Sequence, residues 1–216
     1  MLNMLPVNDI FTQEARDSIL KFYSEYAPAQ ERFKFRTLPP KKVKTVFFGA
    51  SISCSFPIHE FFPGTSFFNR SIPGETLDGL YARLEDDVFP YQPEQVVILV
   101  GLNGIEQDNA IMMRKYEALG DLLTARGIKT YYCSVTPLRH GDPWDRFKYQ
   151  GKIIELNRQL QVMAEKKFAG FVDYFSVLLD PQGELDAEYA REDGTHINFE
   201  GYCVMAKVLE KSVPLY

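Results

Sequence analysis

The sequence predicts an α/β protein, a three-layer α/β/α sandwich with a central, mostly parallel sheet of five strands. Continuous apolar runs rich in β-branched and aromatic residues suit strands that are buried on both faces. These runs alternate with segments whose apolar residues recur every three or four positions, as on one face of a helix. Alternating strands and helices favour a parallel sheet covered on both faces, because right-handed crossovers lead to this doubly wound form.

The composition is that of an ordinary globular protein. The 216 residues, of which 45% are hydrophobic and 25% charged, fit one large domain better than two small ones. A net charge of -5 argues against nucleic acid or an anionic membrane as the main partner. No segment approaches the roughly 20 apolar residues that a membrane span needs.

Two features of the sequence indicate a reduced compartment. The amino terminus lacks the charged start and the long apolar run of a signal peptide. The three cysteines, Cys54, Cys133 and Cys203, have no CxxC spacing, which suggests neither a disulfide framework nor a zinc site. We therefore expect a cytoplasmic protein.

Residues 1–40 are expected to form a helical extension that packs on a main domain of residues 41–216. Asn8 or Asp9 is a candidate cap for a first helix. The apolar residues that follow at the spacing of one helical face are Phe11, Ala15, Ile19, Phe22 and Tyr26. Phe33 and Phe35 alternate with basic residues, which suggests a short edge strand. Core packing explains the aromatic face; the alternatives are a homo-oligomer surface or a cover for an active site.

The main domain begins with the strand that organises it, over residues 43–48. This strand ends at Gly49, where a glycine allows the backbone to turn sharply. Further strands are predicted over residues 65–69, 95–101, 128–135 and 170–175. The helical pattern covers residues 77–88, 112–123, 153–163 and 204–209.

Four short stretches lie where loops should leave the sheet: residues 49–51, 69–74, 101–104 and 193–196. Because the carboxyl ends of parallel strands share one edge, we expect these stretches to meet in space. A serine hydroxyl at that edge needs a base to become a nucleophile, and a histidine suits this task. Asp193 and His196 are separated by two residues, so one turn can bring the carboxylate against the imidazole. The sequence therefore predicts Ser51 as nucleophile, His196 as base and Asp193 as the residue that orients it.

Acyl transfer also needs hydrogen-bond donors for the oxygen that becomes negative in the tetrahedral intermediate. The candidates are the backbone N–H groups of Ser51 and Gly74 and the side-chain amide of Asn103. His140 and Trp144 lie in a loop at the same edge, where they either contact substrate or pack within the loop.

The sequence gives less support to two alternatives, a different catalytic base and a catalytic metal. His59 and His140 are alternative bases, but neither follows a carboxylate by two or three residues. Three histidines without paired ligand spacing argue against a catalytic metal.

These stretches resemble the conserved blocks of the SGNH hydrolases, also called the GDSL esterase superfamily. Gly49-Ala50-Ser51 stands where the family has its nucleophile motif, and Gly74 matches its glycine oxyanion donor. Gly101-Leu102-Asn103-Gly104 and Asp193-Gly194-Thr195-His196 match the remaining blocks. The resemblance runs from about residue 43 to the C-terminal helix, and it implies a flavodoxin-like fold and serine hydrolase activity.

Two positions depart from the family pattern, since Ala50 and Gly104 replace aspartates. Neither position is one of the expected triad members or oxyanion donors. The α/β-hydrolase elbow G-x-S-x-G is a rival explanation of Ser51, but Ser53 stands where its second glycine should be.

The resulting prediction is a serine esterase that hydrolyses a small-molecule carboxylic ester with a short acyl group. An acyl-enzyme forms on Ser51, and no cofactor or metal is expected. One alternative is an acyltransferase that uses the same residues with an alcohol acceptor. The other is a non-catalytic binding module on a decayed esterase fold, which the residues at positions 50 and 104 would favour.

Overall fold

The structure of the protein, a computed structural model, describes residues 10–216. Its centre is a sheet of five parallel strands in the order β2-β1-β3-β4-β5. The strands are β1 (Thr45–Gly49), β2 (Phe67–Asn69), β3 (Gln95–Leu99), β4 (Lys129–Cys133) and β5 (Gly170–Val172). The predicted α/β/α class is confirmed, and every strand is purely parallel.

Helices lie on both faces of this sheet. In chain order they are α1 (Gln13–Glu25), α2 (Ala27–Phe33), α3 (Ser51–Ser55), α4 (Ile58–Phe61), α5 (Leu77–Asp87), α6 (Asn109–Thr124), α7 (Gln150–Lys167), α8 (Tyr174–Val177) and α9 (Phe199–Ser212). Val46 and Phe48 of β1 pack with α5, α6 and α7, whereas Phe47 between them packs with α3, α4 and α9. This alternation follows from the two-residue period of a strand, and it gives the protein two apolar layers.

Strands β3, β4 and β5 end two or three residues earlier than the sequence predicts. Val135, expected in β4, instead pairs its N–H and its carbonyl with the side-chain amide of Asn157 in α7, each at 2.8 Å. A side chain has replaced the neighbouring strand as the hydrogen-bond partner, so the ladder stops two residues sooner.

Two predictions for the amino-terminal region are wrong. Helix α1 begins at Gln13, with Thr12 as its cap, while Asn8 and Asp9 lie outside the described residues. The edge strand expected around Phe33 is the end of α2, followed by a 3₁₀ turn over Lys34–Thr37. Pro28 favours this outcome, because proline fits the first turn of a helix.

The prediction for the buried face of α1 is wrong at one position, while Phe11, Ile19 and Tyr26 lie on that face as expected. Phe22 is 38% exposed, and the neighbouring Tyr23 is buried against α5. Tyr23 can be buried because its hydroxyl finds a carboxylate partner in Glu75. Helices α1 and α2 thus contact the sheet domain, and the division of the chain at residue 40 stays a prediction.

Among residues 10–216, no helix has both the length and the apolar character needed to cross a bilayer.

Candidate active site

Ser51 lies at the carboxyl edge of the sheet because the chain turns tightly after β1. Gly49 packs against the backbone of β3, and a Cβ at this position would overlap the carbonyl of Leu99. The N–H of Ala50 donates to the same carbonyl at 3.0 Å. Ser51 follows as the first residue of α3, so its side chain stands at the edge where open α/β sheets bind ligands.

The structure brings the three predicted triad residues together. The Nε2 atom of His196 lies 3.0 Å from Ser51 Oγ, across 145 residues of sequence. Its Nδ1 atom lies 2.6 Å from Asp193 Oδ2. The other carboxylate oxygen, Oδ1, accepts the N–H groups of Thr195 at 2.9 Å and of His196 at 2.8 Å.

The environment of Asp193 fixes the tautomer of His196. Partial burial raises the pKa of Asp193, but hydrogen bonds from the His196 N–H, its ring and the Thr195 N–H outweigh burial and lower that pKa. An ionised carboxylate can accept hydrogen bonds but not donate them. In a neutral His196 ring the proton therefore lies on Nδ1, which faces Asp193. Nε2 then carries the lone pair that faces the Ser51 hydroxyl, which is the arrangement that a general base needs.

Of the predicted oxyanion donors, Ser51 and Asn103 line one recess, and Gly74 lies in a loop that is hydrogen-bonded to α3. The N–H of Ser51 is at the first position of α3 and has no acceptor within the described chain. Gly74 has φ +81°, a conformation that favours glycine, and its N–H also lacks an acceptor among those residues. Asn103 Nδ2 donates to the carbonyl of Glu75 at 3.0 Å, which orients the amide and leaves its second hydrogen available.

The loop that carries Gly74 is tied to α3. Asn69 Nδ2 donates to the carbonyl of Ser53 at 2.8 Å, and the hydroxyl of Ser71 lies 2.8 Å from that of Ser53. The N–H of Ile72 donates to the carbonyl of Gly49 at 3.0 Å. These bonds hold the glycine loop and the serine in one fixed relationship, as preorganised electrostatic stabilisation requires.

The backbone conformation explains the departure from the family pattern at position 104, and the backbone at position 50 is fully hydrogen-bonded. At position 104 the backbone has φ +89°, where a side chain would be strained and would press on the amide of Gln107. The loop is closed instead by its own backbone, from Gln107 N–H to the Gly104 carbonyl at 3.0 Å. At position 50, the N–H of Ala50 donates to the Leu99 carbonyl in β3, and the Ala50 carbonyl accepts from the N–H of Cys54 at 2.8 Å.

A narrow recess of about 30 Å³ opens beside Ser51. That is room for one or two water-sized groups. The residues that line it are Ala50, Ser51, Ile52, Leu99, Val100, Gly101, Leu102, Asn103, Val135, Thr136 and Arg146. The hydroxyl of Thr136 is buried there without a hydrogen-bond partner in the described chain.

The two predicted substrate contacts differ in position. Trp144 packs edge-on against the His196 ring, with centroids 6.1 Å apart, and is half exposed. His140 does not line the recess; its side chain is 71% exposed, and Nδ1 lies 2.5 Å from Glu184 Oε1. The alternative base His59 stacks on Phe67 and lines a different cavity.

Sequence reasoning missed Arg146, which lines the recess next to Ser51. Its guanidinium lies over the ring of Trp144, 4.4 Å from the centroid. Partial burial lowers the pKa of Arg146, while Asp142 and Asp193 act in the opposite direction, and an arginine remains charged in any case. The signal in the sequence was its position two residues after Trp144, directly after the loop over residues 138–145 that was expected at this edge.

Within the described part of the chain, no three histidine, cysteine, aspartate or glutamate side chains cluster as metal ligands do.

Comparison with known protein families gives a match. The sequence matches the GDSL-like lipase/acylhydrolase family over residues 58–204, a range that includes Gly74, Asn103, Asp193 and His196 and begins after Ser51. No curated protein sequence matches the chain.

Several solved structures share the fold. A candidate acylhydrolase from Bacteroides fragilis is 26% identical, with 84% of this chain and 93% of that chain covered and a TM-score of 0.76. A candidate platelet activating factor from Streptococcus pneumoniae is 22% identical, with coverages of 97% and 100% and a TM-score of 0.77. An acetylxylan esterase from Geobacillus stearothermophilus, solved as a catalytic serine-to-alanine mutant, is 16% identical, with coverages of 82% and 96% and a TM-score of 0.65.

The family match extends over more than half of the chain, and the fold, with a serine, a histidine and an aspartate at one sheet edge, is the one that the resemblance implies. The chain therefore belongs to the GDSL-like lipase/acylhydrolase family, within the SGNH superfamily of serine hydrolases.

Proposed function

We propose that this protein is an esterase for small acyl groups, of about acetyl size, and that it works through an acyl-enzyme on Ser51. The observation that carries the proposal is the continuous hydrogen-bonded chain from Ser51 Oγ through the His196 ring to the Asp193 carboxylate. In the first step, Oγ attacks the ester carbonyl while Nε2 of His196 takes the hydroxyl proton. The same proton then passes to the departing alcohol.

Water completes the cycle by the reverse route. His196 removes a proton from the water as it attacks the acyl-enzyme, and returns that proton to Ser51 as the acid leaves. In both steps the negative oxygen is held by the N–H groups of Ser51 and Gly74 and by the amide of Asn103. Asp193 stays ionised and stabilises the imidazolium form of His196.

The size of the recess supports a short acyl group. Its volume of about 30 Å³ has room for a methyl-sized group. The acetylxylan esterase with a similar structure acts, by its name, on acetyl esters, which agrees with this size.

The proposal can be tested with 4-nitrophenyl esters of increasing acyl length. We expect the acetate to be hydrolysed with the highest kcat/KM, and Ser51→Ala to lower kcat by about 10³-fold or more. Ser55→Ala, an exposed position in the same helix, is the matched control and should be unaffected. Equal rates for Ser51→Ala and wild type would overturn the assignment of the nucleophile.

A fluorophosphonate probe gives a second readout that does not depend on the choice of substrate. Wild-type protein should gain one probe adduct on Ser51, detected by intact mass and peptide mapping, and Ser51→Ala should gain none. Product analysis in the presence of candidate alcohols would separate hydrolysis from acyl transfer to an acceptor.

A further inference from the structure

Arg146 lines the recess with hydrogen-bond donors that residues 10–216 do not use. It is the first residue of a 3₁₀ turn over Arg146–Tyr149, and its side chain is only 19% exposed. Its closest carboxylate contact, from Nε to Asp142 Oδ1, is 3.9 Å long, which is beyond hydrogen-bond distance. Within residues 10–216 the guanidinium donates no hydrogen bond.

Asp142 cannot easily become the missing partner, because its oxygens are occupied. It accepts the backbone N–H groups of Trp144 at 3.1 Å, of Phe147 at 3.2 Å, and of Arg146 itself. The hydroxyl of Thr195, next to His196, approaches it at 3.4 Å. The Asp142 carboxylate therefore stabilises the loop by accepting backbone N–H groups, and the Arg146 guanidinium remains available to bind a ligand.

The carboxylate oxygens of Asp193 are also occupied. Both of its oxygens bond the His196 ring or the backbone of Thr195 and His196. Its charge attracts Arg146, and this holds a cation beside the site without a direct bond. The nearby Trp144 ring, under the guanidinium, limits the orientations that the arginine adopts.

A half-buried, oriented guanidinium without a hydrogen-bond partner suits a carboxylate or a phosphate, which it binds through paired N–H donors. With a methyl-sized acyl group in this recess of about 30 Å³, little space remains there for an anion on the acyl chain. The anion must then belong to the other half of the ester.

We propose that Arg146 binds an anionic group on the alcohol part of the ester, so that the substrates are small acyl esters of hydroxy acids or of phosphorylated alcohols. This inference rests on the proposed esterase function and adds the substrate class to it. Arg146 is then a specificity-determining residue, because it touches the substrate at a point away from the reacting carbonyl.

The test compares two esters of nearly the same shape, 3-acetoxybenzoate and its uncharged amide, 3-acetoxybenzamide. We expect wild-type protein to prefer the anionic ester, and Arg146→Gln to reduce that preference by about ten- to a hundredfold, since hydrogen bonds to charged groups are worth this much. Hydrolysis of the amide-bearing ester should change less than about threefold in the variant. Arg146→Lys should keep part of the preference, because it retains the charge but not the planar fork.

Arg158→Gln, on the exposed face of α7, is the matched control for loss of a positive charge and should leave the preference unchanged. A parallel measurement with 3-acetoxyphenyl phosphate distinguishes a phosphate from a carboxylate as the preferred anion. An unchanged preference in Arg146→Gln would overturn the proposal. A preference for 4-nitrophenyl hemisuccinate that depends on Arg146 would also overturn it, because the anion would then lie on the acyl side.

Binding of the alcohol product separates failure of this inference from failure of the proposed function. Calorimetry should show that 3-hydroxybenzoate binds wild-type protein more tightly than 3-hydroxybenzamide does, and that Arg146→Gln loses the difference. If neither ester is hydrolysed but this difference is found, the esterase function fails while the anion site stands. Hydrolysis that depends on Ser51, without any anion preference, would leave the function and remove the site.

Discussion

The hydroxyl of Tyr23 in α1 donates a hydrogen bond of 2.7 Å to the carboxylate of Glu75, the residue directly after the proposed oxyanion donor Gly74. Glu75 is 1% exposed, and Arg83 of α5 donates to it through Nε at 2.7 Å. The carbonyl of Glu75 in turn accepts from Asn103 at 3.0 Å. One buried residue thus connects the amino-terminal helix to two of the proposed oxyanion donors.

Tyr23→Phe should destabilise the protein. Burial, and then the negative charge of Glu75, raise the pKa of Tyr23, so its hydroxyl keeps the proton that it donates. Loss of a donor to a buried carboxylate costs about 1–3 kcal/mol of the free energy of unfolding, which urea denaturation measures. Tyr26→Phe, at the end of the same helix, is the control, because the Tyr26 hydroxyl has no hydrogen-bond partner in the described chain. Equal stability of the two variants would contradict the role given to Tyr23.

Gly79→Ala should destabilise α5 although alanine is the better helix former. A Cβ at this position would overlap the Glu75 carboxylate and the Tyr23 hydroxyl, both buried, so the cluster would have to shift. We expect a loss of about 1–3 kcal/mol, as for other overpacked interiors. Gly151→Ala in α7 meets no atom within 4 Å and should gain up to about 1 kcal/mol. Thermal and urea unfolding of both variants test the contrast, and a stabilised Gly79→Ala variant would refute it.

Arg36→Gln should destabilise the protein in a pH-dependent manner. Burial raises the pKa of Asp87, but hydrogen bonds from Arg36 and the charges of Arg83, Arg36 and Arg70 outweigh it, so the pKa is lowered. Arg36 contributes two of these bonds, at 3.0 and 2.8 Å. A carboxyl group with a lowered native pKa stabilises the fold fully above its unfolded pKa of about 4, and this contribution disappears as the pH falls through the native pKa.

The difference in unfolding free energy between wild type and Arg36→Gln should therefore be about 1.5–3 kcal/mol at pH 7 and smaller near pH 3. Urea titrations at both pH values measure it. Lys34→Gln removes the charge from an exposed pair with Glu31 and should have little effect at either pH. A difference that stays constant with pH would show that Arg36 does not act through the ionised form of Asp87.

Asn103→Ala should lower kcat by about 10²–10³-fold with little change in KM, because an oxyanion donor acts mainly in the transition state. Asn109→Ala is the matched control, since the Asn109 amide also bonds a backbone carbonyl, that of Lys152 at 3.2 Å, but lies in α6. Steady-state kinetics with 4-nitrophenyl acetate measure both variants. If kcat is unchanged in Asn103→Ala, the oxyanion is held by the two backbone N–H groups alone.

The fold class and the candidate triad could both be predicted because they depend mainly on local sequence patterns. The apolar run of β1 and the alternation of strands with helices are local patterns, and they predict a parallel sheet without knowledge of distant contacts. Asp193 and His196 lie three positions apart, so their hydrogen bond is also local. The place of Ser51 beside them then follows from one rule, that the carboxyl ends of parallel strands share an edge.

The errors occurred where long-range contacts override local preference. The pattern around Phe33 and Phe35 predicts a strand, but packing of Phe33 on Tyr23 and the ion pair of Arg36 with Asp87 favour a helix and a 3₁₀ turn. Similarly, the helical spacing selects Phe22 for burial, whereas the carboxylate of Glu75, 52 residues away from Tyr23, selects its neighbour.

By itself, then, the sequence determined the layered sheet and which residues make up the proposed triad, since both follow from short-range periodicity and from the geometry common to parallel sheets. Only the tertiary structure decided that Tyr23 bonds Glu75 beside the proposed oxyanion loop, and that His140 turns towards Glu184. It also decided that Arg146 lines the same recess as Ser51 and donates no side-chain hydrogen bond within residues 10–216. These relationships depend on which side chains from distant segments can satisfy one another's charges and hydrogen bonds, and no pattern along a single segment contains that information.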